Sequence, residues 1–179
     1  MKHYFKPYLN PVFIETGTFE GQGVKAALRD GFERIISIEI SNYYFSLCRE
    51  KFKDNKNVEL HFGDSVLLLP EILKDTNERC TFWLDGHYHE KITRAGILTE
   101  IEMIPVPLME ELKIIGKHHI KNHTLLLDDM RLVRNKDEWK DFPYCICDIE
   151  EMIHTINPKY DISYIDGYGK DDILVAQIK

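Results

Sequence analysis

Three carboxylates and two histidines sit where they could do chemistry. Asp85 closes the run CTFWLD, and Asp128 and Asp129 close HTLLLDD. Carboxylates brought together repel unless a cation or a shared proton offsets their charge, and an all-oxygen set suits Mg²⁺ or a similarly hard ion. Asp85, Asp128 and Asp129 are therefore the candidate metal ligands. His87 and His89 follow Asp85 in DGHYHE. A neutral imidazole with an ordinary pKa of about 6.5 can take the proton of an attacking hydroxyl near neutrality. His87, nearer the end of the apolar run, is the candidate base beside Asp85. The plainer readings are that Asp85 caps a turn, that Asp128 or Asp129 faces solvent, and that the loop histidines are merely exposed. His118 and His119, before KNH, read as solvated surface, and Trp83 reads as core.

A second constellation lies in Val12–Gly23, VFIETGTFEGQG. A β-branched and aromatic run ends on Glu15, a turn carries Gly17, Gly21 and Gly23, and a helical pattern follows with Val24, Ala27 and Leu28 on one face. Glycine lets backbone N–H groups approach a ligand, and the following helix N-terminus carries partial positive charge. A nucleotide-like ligand suits that geometry. Glu39 closes a second apolar run, RIISIE, and a carboxylate is a bidentate acceptor suited to a ribose diol. A third run closes on Gly63, Asp64 and Ser65.

The elements that must position these residues alternate. A helix from about Gly21 to Asp30, stopped by Gly31, leads to a strand Arg34–Glu39, then a helical segment from Asn42 to Phe52 and a short strand in NKNVELHF. A helix from about Ser65 to Leu73, a buried strand Cys80–Leu84, a helix Leu108–Gly116, a strand Thr124–Leu127 and a helix Asp148–Ile156 follow. The stretch from Glu90 to Pro107 lacks a clean period and reads as a long loop or lid. Tyr160–Ile165 and Ile173–Ile178 are strands joined by DGYGKDD, too short a connection for anything but an antiparallel pair. The alternation implies a doubly wound α/β sheet with helices on both faces, whose strand ends bring the acids to one edge.

The 179 residues suit one domain, and 30 acidic against 23 basic residues give a net charge of -7, which argues against a general nucleic-acid surface. Cys48, Cys80, Cys145 and Cys147 match neither a CxxC pair nor a disulfide framework and read as buried or incidental thiols of a reducing cytoplasm. No apolar run approaches the ~20 residues of a membrane span, so a cytoplasmic protein is expected.

Taken together, ETGTFEG, Glu39, the GDS after the third strand, the strand-end acid Asp85 and the terminal hairpin resemble a class I S-adenosylmethionine-dependent methyltransferase over essentially the whole chain. The resemblance implies a Rossmann-like sheet of seven strands with the last antiparallel. It places cofactor binding on Glu15, Thr16, Gly17, Thr18 and Gly21, on Glu39 and Ile40, and on Gly63, Asp64, Ser65 and Asp85. The aspartates after strands four and five are similar to those of metal-dependent macrolide-sugar O-methyltransferases, which implies O-methylation of a small molecule or sugar, with Mg²⁺. DGH is followed here by Tyr88, His89, Glu90 and Lys91, where similar small bacterial-type proteins carry serines and glycines. The competing readings are an NAD-type Rossmann oxidoreductase, for which Glu39 would serve equally but ETGTFEG is not GxGxxG, and a non-catalytic partner-binding subunit. With only Met1 to Asn10 before the first strand, either Glu90–Pro107 or a neighbouring copy in a homo-oligomer must supply a lid.

Overall fold

The computed structural model describes residues 5–87, 106–135 and 142–178. Seven strands form one sheet: β1 (Val12–Thr16), β2 (Arg34–Glu39), β3 (Val58–Phe62), β4 (Cys80–Leu84), β5 (Thr124–Leu127), β6 (Asp161–Ile165) and β7 (Ile173–Gln177). Their order is β3-β2-β1-β4-β5-β7-β6. Strands β1 to β5 pair in parallel, and β7 runs antiparallel to both β5 and β6. Among the described residues the helices are α1 (Gln22–Asp30), α2 (Asn42–Lys51), α3 (Ser65–Lys74), α4 (Leu108–Lys117), α5 (Met130–Arg134) and α6 (Ile146–Ile156). The expected seven-stranded sheet with an antiparallel last strand is what forms. The expected lid, from Glu90, lies outside the described residues up to position 105, as do His89 and the first four residues.

Strand periodicity divides the core. Val12 and Ile14, Ile36 and Ile38, Phe82 and Leu84, and Leu125 and Leu127 face α3 to α6, burying Leu69, Leu112, Ile115, Ile149 and Ile153. Phe13, Ile35, Trp83, Leu126 and Val175 face the other way, against Val24 and Ala27 of α1 and Cys48 of α2. With both faces covered, the central strands need to be apolar on both, which is why RIISIE and CTFWL read as continuous runs and not as alternating ones. Phe5 closes one end of the second layer, its ring 4.9 Å from Phe13 and 5.1 Å from Trp83, while its N–H donates to Asp30 Oδ2 at 2.6 Å. Complete burial of such a ring is worth about 1.5–3 kcal/mol.

The ladders run on past the strand ends, which fixes the loops that matter for function. Gly17 N–H donates to Ile38 O (2.9 Å), Gly63 N–H to Glu39 O (2.9 Å), Asp85 N–H to Thr16 O (3.2 Å) and Asp128 N–H to Leu84 O (3.1 Å). The acids at these ends are thus held side by side along one edge.

Two sequence expectations are corrected. His118 and His123 are buried rather than solvated, while His119 alone of the three is exposed. His123 Nδ1 accepts the Cys80 N–H at 3.0 Å, so a neutral His123 carries its proton on Nε2 and donates to His118 Nδ1 at 2.8 Å; His118 Nε2 in turn donates to Thr76 O at 3.0 Å. Short-range sequence shows three polar residues near a strand start, but tertiary contact supplies His118 and His123 with partners. Cys145 and Cys147 form a disulfide at the start of α6, whereas Cys48 and Cys80 are the expected buried thiols. The helical turn at Ile146 brings the Cα atoms of Cys145 and Cys147 within 5.3 Å of each other.

Candidate functional site

At the carboxyl edge, between β1 and β4 where the strand order reverses direction, a cleft of about 350 Å³ is lined by residues of four strand-end loops. Open parallel sheets bind ligands at this point. Glu15, Gly17, Thr18, Asp85, His87, Asp128 and Asp129 all line it.

Its floor is Glu15. The side chain is 1% exposed, and its Oε2 accepts the Ser37 hydroxyl at 2.5 Å; with Ser37 donating there, the Thr18 hydroxyl is the donor to Ser37 at 2.6 Å. Burial, aided by the nearby Glu39 charge and opposed by the Ser37 bond, pushes the Glu15 carboxyl up to about 8. Its Oε1 lies over Gly23, where a Cβ would come within 1.8 Å of it. Gly17 is needed for a different reason: at φ +84° its missing Cβ leaves room for the carbonyl of Asp85, which would otherwise be 2.6 Å away.

The opposite wall holds a cluster of ionisable side chains. His87 Nδ1 is 3.1 Å from Asp129 Oδ2 and 3.8 Å from Asp85 Oδ1. Asp129 takes a left-handed backbone, φ 62°, which aspartate tolerates better than most side chains. Asp128 turns back to accept its neighbour's N–H at 2.8 Å. About a quarter of the Asp85 side chain stays open, yet protein surrounds it closely enough that burial, followed by the charges of Asp128, Asp129 and Glu15, drives its carboxyl well above the usual range. Burial and the Asp129 charge lift Asp128 to about 7.

Metal-compatible groupings differ from the expected trio. Ligand atoms of Asp85, His87 and Asp129 lie within 4.8 Å of one another, and so do those of Asp128, Asp129 and Asp172, but Asp85 and Asp128 share no such group. The second set already holds a cation: Arg131 Nη1 is 2.5 Å from both Asp129 Oδ1 and Asp172 Oδ2. Asp172 is fully buried and also accepts the Arg131 and Gly169 N–H groups, at 3.0 and 3.2 Å. Tyr168, 82% exposed, caps the Arg131 guanidinium at 4.9 Å and completes the cleft rim with Gln22 and Phe19. Arg131, Asp172 and Tyr168 were missed by sequence reasoning. A signal existed, since Arg131 lies two residues beyond Asp129 and a second Asp pair closes the DGYGKDD turn, but nothing local joins them.

The remaining expected cofactor residues do not line the cleft. Glu39 is 6% exposed, with its two oxygens accepting the N–H groups of Phe19 and Ser41 at 2.7 Å each. Burial raises its carboxyl pKa despite those bonds. Gly21 precedes α1, Ile40 follows β2 and Gly63 follows β3. Asp64 caps α3 through Val66 N–H at 2.8 Å, and Ser65 and Thr16 are buried on the far side of the sheet from Glu15.

No family model matches the sequence, and no curated protein does. Solved structures do match. An O-methyltransferase from Bacillus cereus in complex with SAH superposes with a TM-score of 0.70 at 15% identity, over 98% of this chain and 77% of the other. The O-methyltransferase TomG of Streptomyces achromogenes, involved in tomaymycin synthesis and solved with SAM, gives 0.65 at 14% identity over 98% and 76%. The SAH-bound methyltransferase PaMTH1 of Podospora anserina gives 0.63 at 14% over 98% and 74%. With its order β3-β2-β1-β4-β5-β7-β6 and antiparallel β7, the chain has the class I methyltransferase fold.

Proposed function

We propose that the protein, as one domain spanning residues 1–179, transfers a methyl group from S-adenosylmethionine to a hydroxyl of a small-molecule acceptor. The observation that carries this reading is the cleft at the strand-order switch, with Glu15, Gly17 and Thr18 on one wall and Asp85, His87 and Asp129 on the other. The residues present fit the cofactor. Gly17 allows close backbone approach, and the ends of β2 and β3 bring Glu39, Ile40, Gly63 and Asp64 to the same carboxyl edge for the nucleoside. Glu39 accepts the Phe19 and Ser41 N–H groups, which orient its carboxylate at the end of β2, where a ribose diol would need an acceptor. When bound, S-adenosylmethionine supplies an electrophilic methyl group.

The chain's own part is to position and deprotonate the acceptor. With His87 Nδ1–H donating to Asp129 at 3.1 Å, Nε2 holds the lone pair and is the nitrogen that takes the hydroxyl proton. Asp129, held in turn by Arg131, orients the ring and stabilises the imidazolium. The net charge of -7 disfavours phosphate-rich acceptors and nucleic acid. No described helix is long and apolar enough to cross a membrane; a cytoplasmic setting, and a homo-oligomer, belong to the proposal.

A specific observation favours a second form of the same reaction, in which Asp85, His87 and Asp129 hold Mg²⁺ or another divalent cation. The donor set is mixed nitrogen and oxygen, and its crowded carboxylates call for a positive charge. Such an ion would lower the acceptor hydroxyl's pKa.

Calorimetry with S-adenosylhomocysteine and with NAD tests the cofactor: saturable binding of the first supports the reading, and NAD binding alone sinks it. A methyl-transfer screen over sugars, phenols and small metabolites then seeks the acceptor. With a turnover assay in hand, loss of activity in chelator favours the ion, whereas chelator-insensitive activity abolished by His87→Ala favours the base. Absence of any saturable cofactor binding would favour a non-catalytic partner-binding subunit.

A further inference from the structure

On the face of the sheet opposite Glu15, a second buried acid has no part in the cleft. Glu111, in the first turn of α4, is fully buried. Its Oε1 accepts the Ser65 hydroxyl at 2.5 Å. Its Oε2 makes no well-formed hydrogen bond among the described residues, and neither does the equally buried Thr16 Oγ1 that points at the same carboxyl. Gly86 rests directly on both: a Cβ there would lie 3.2 Å from Thr16 Oγ1 and 3.4 Å from Glu111 Oε1. One side chain therefore touches the ends of β1 and β4 and the start of α3, the three loops that carry Gly17, Asp85 and Asp64. The charged group facing it is Asp64, at the cap of α3; its helix neighbour Glu110 is turned to Lys113 at 2.5 Å.

Two orphaned polar atoms side by side are costly, since each has given up its hydrogen bonds to water without a replacement. The Thr16 hydroxyl could join the two atoms in either direction, but a fully buried carboxylate faced by Asp64, with no cation among the described groups that act on it, is costly, so the proton belongs on the carboxyl: Oε2–H donates to Thr16 Oγ1 while Oε1 keeps its bond from Ser65. We infer that Glu111 is a positioning residue that works as a neutral acid, pinning the loops after β1, β3 and β4 in the arrangement that binds the cofactor. The inference rests on the cofactor reading proposed above. Burial holds the Glu111 carboxyl at about 7, so the group changes state within the ordinary working range.

The experiment is calorimetry with S-adenosylhomocysteine from pH 6 to pH 8 on the wild-type chain, Glu111→Gln and Glu111→Leu. If only the neutral acid is competent, a pKa of about 7 makes wild-type affinity roughly tenfold weaker at pH 8 than at pH 6. Glu15 and Asp128, which line the cleft, add a slope of their own that all three proteins share. Glutamine supplies an N–H donor where the acid has its O–H, so Glu111→Gln should bind like wild type at pH 6 and lose the tenfold component. Glu111→Leu should bind weakly at both pH values. An identical pH slope in wild type and Glu111→Gln overturns the inference while leaving the cofactor reading intact. Failure of the wild-type chain to bind at any pH overturns both.

Discussion

Replacing Gly23 with alanine sets two opposed effects against each other, and the structure says which should win. Gly23 lies in the first turn of α1 with an ordinary helical backbone, so helix propensity alone favours alanine by about 1 kcal/mol. The new Cβ, however, would be 1.8 Å from Glu15 Oε1 and 2.9 Å from its Cδ. A flexible carboxylate on the surface would step aside. Glu15 is 1% exposed and tied to Ser37 at 2.5 Å, so moving it costs about 1–3 kcal/mol of overpacking and about 0.5–1.5 kcal/mol for the hydrogen bond. The balance is a destabilisation of roughly 2 kcal/mol, or about 4–8 °C in Tm for a chain of this size. Urea unfolding of wild type and Gly23→Ala measures it. In a Glu15→Ala background the clash is gone, and the same glycine exchange should stabilise, so the two values should differ in sign. If Gly23→Ala alone gains about 1 kcal/mol, Glu15 moves freely and its description as a fixed floor is wrong.

As pH rises from about 4.5 to about 8 the unliganded protein should lose stability. Glu15 at about 8, Glu111 at about 7 and Asp128 at about 7 all sit above their unfolded values, so the folded chain binds more protons and stability falls as pH rises toward 8. Glu15→Gln should flatten part of that slope in thermal melts, and an unchanged slope would contradict the burial assigned to it. His123 acts in the opposite sense, because burial depresses it to about 3 and its stabilisation is present above pH 6.5 and lost as pH falls toward 3, at up to about 1.4 kcal/mol per unit; His123→Asn should remove that acid sensitivity. Arg131→Leu should cost roughly 2 kcal/mol in urea unfolding, less than the 3–5 of a wholly buried pair because a third of the arginine side chain is exposed, and a neutral result would mean that the Arg131–Asp172 pair adds nothing net to stability. Mass spectrometry after alkylation without reductant should find only Cys48 and Cys80 modifiable, and only once unfolded; labelling of Cys145 would refute the disulfide.

Much of this protein was legible in one dimension. Hydrophobic period fixes which residues share a face, so the alternation of apolar runs with helical patterns implies a doubly wound sheet, and the residue after each run must fall at one edge. Glu15, Glu39, Asp64, Asp85 and Asp128–Asp129 are placed by that logic alone, and the short DGYGKDD turn forces the antiparallel hairpin. What period cannot encode is which strand-end side chain meets which. Tertiary packing turned Asp128 back on its own backbone, gave His87 to Asp129, and brought Asp172 across from β7 to share Arg131, a partner 41 positions away in sequence. It likewise buried His118 and His123 as a bonded pair and set Glu111 beneath Gly86. The physical reason is the same throughout. A buried polar group must find its partner wherever the fold delivers one, and a chain's local pattern records only that the group is polar.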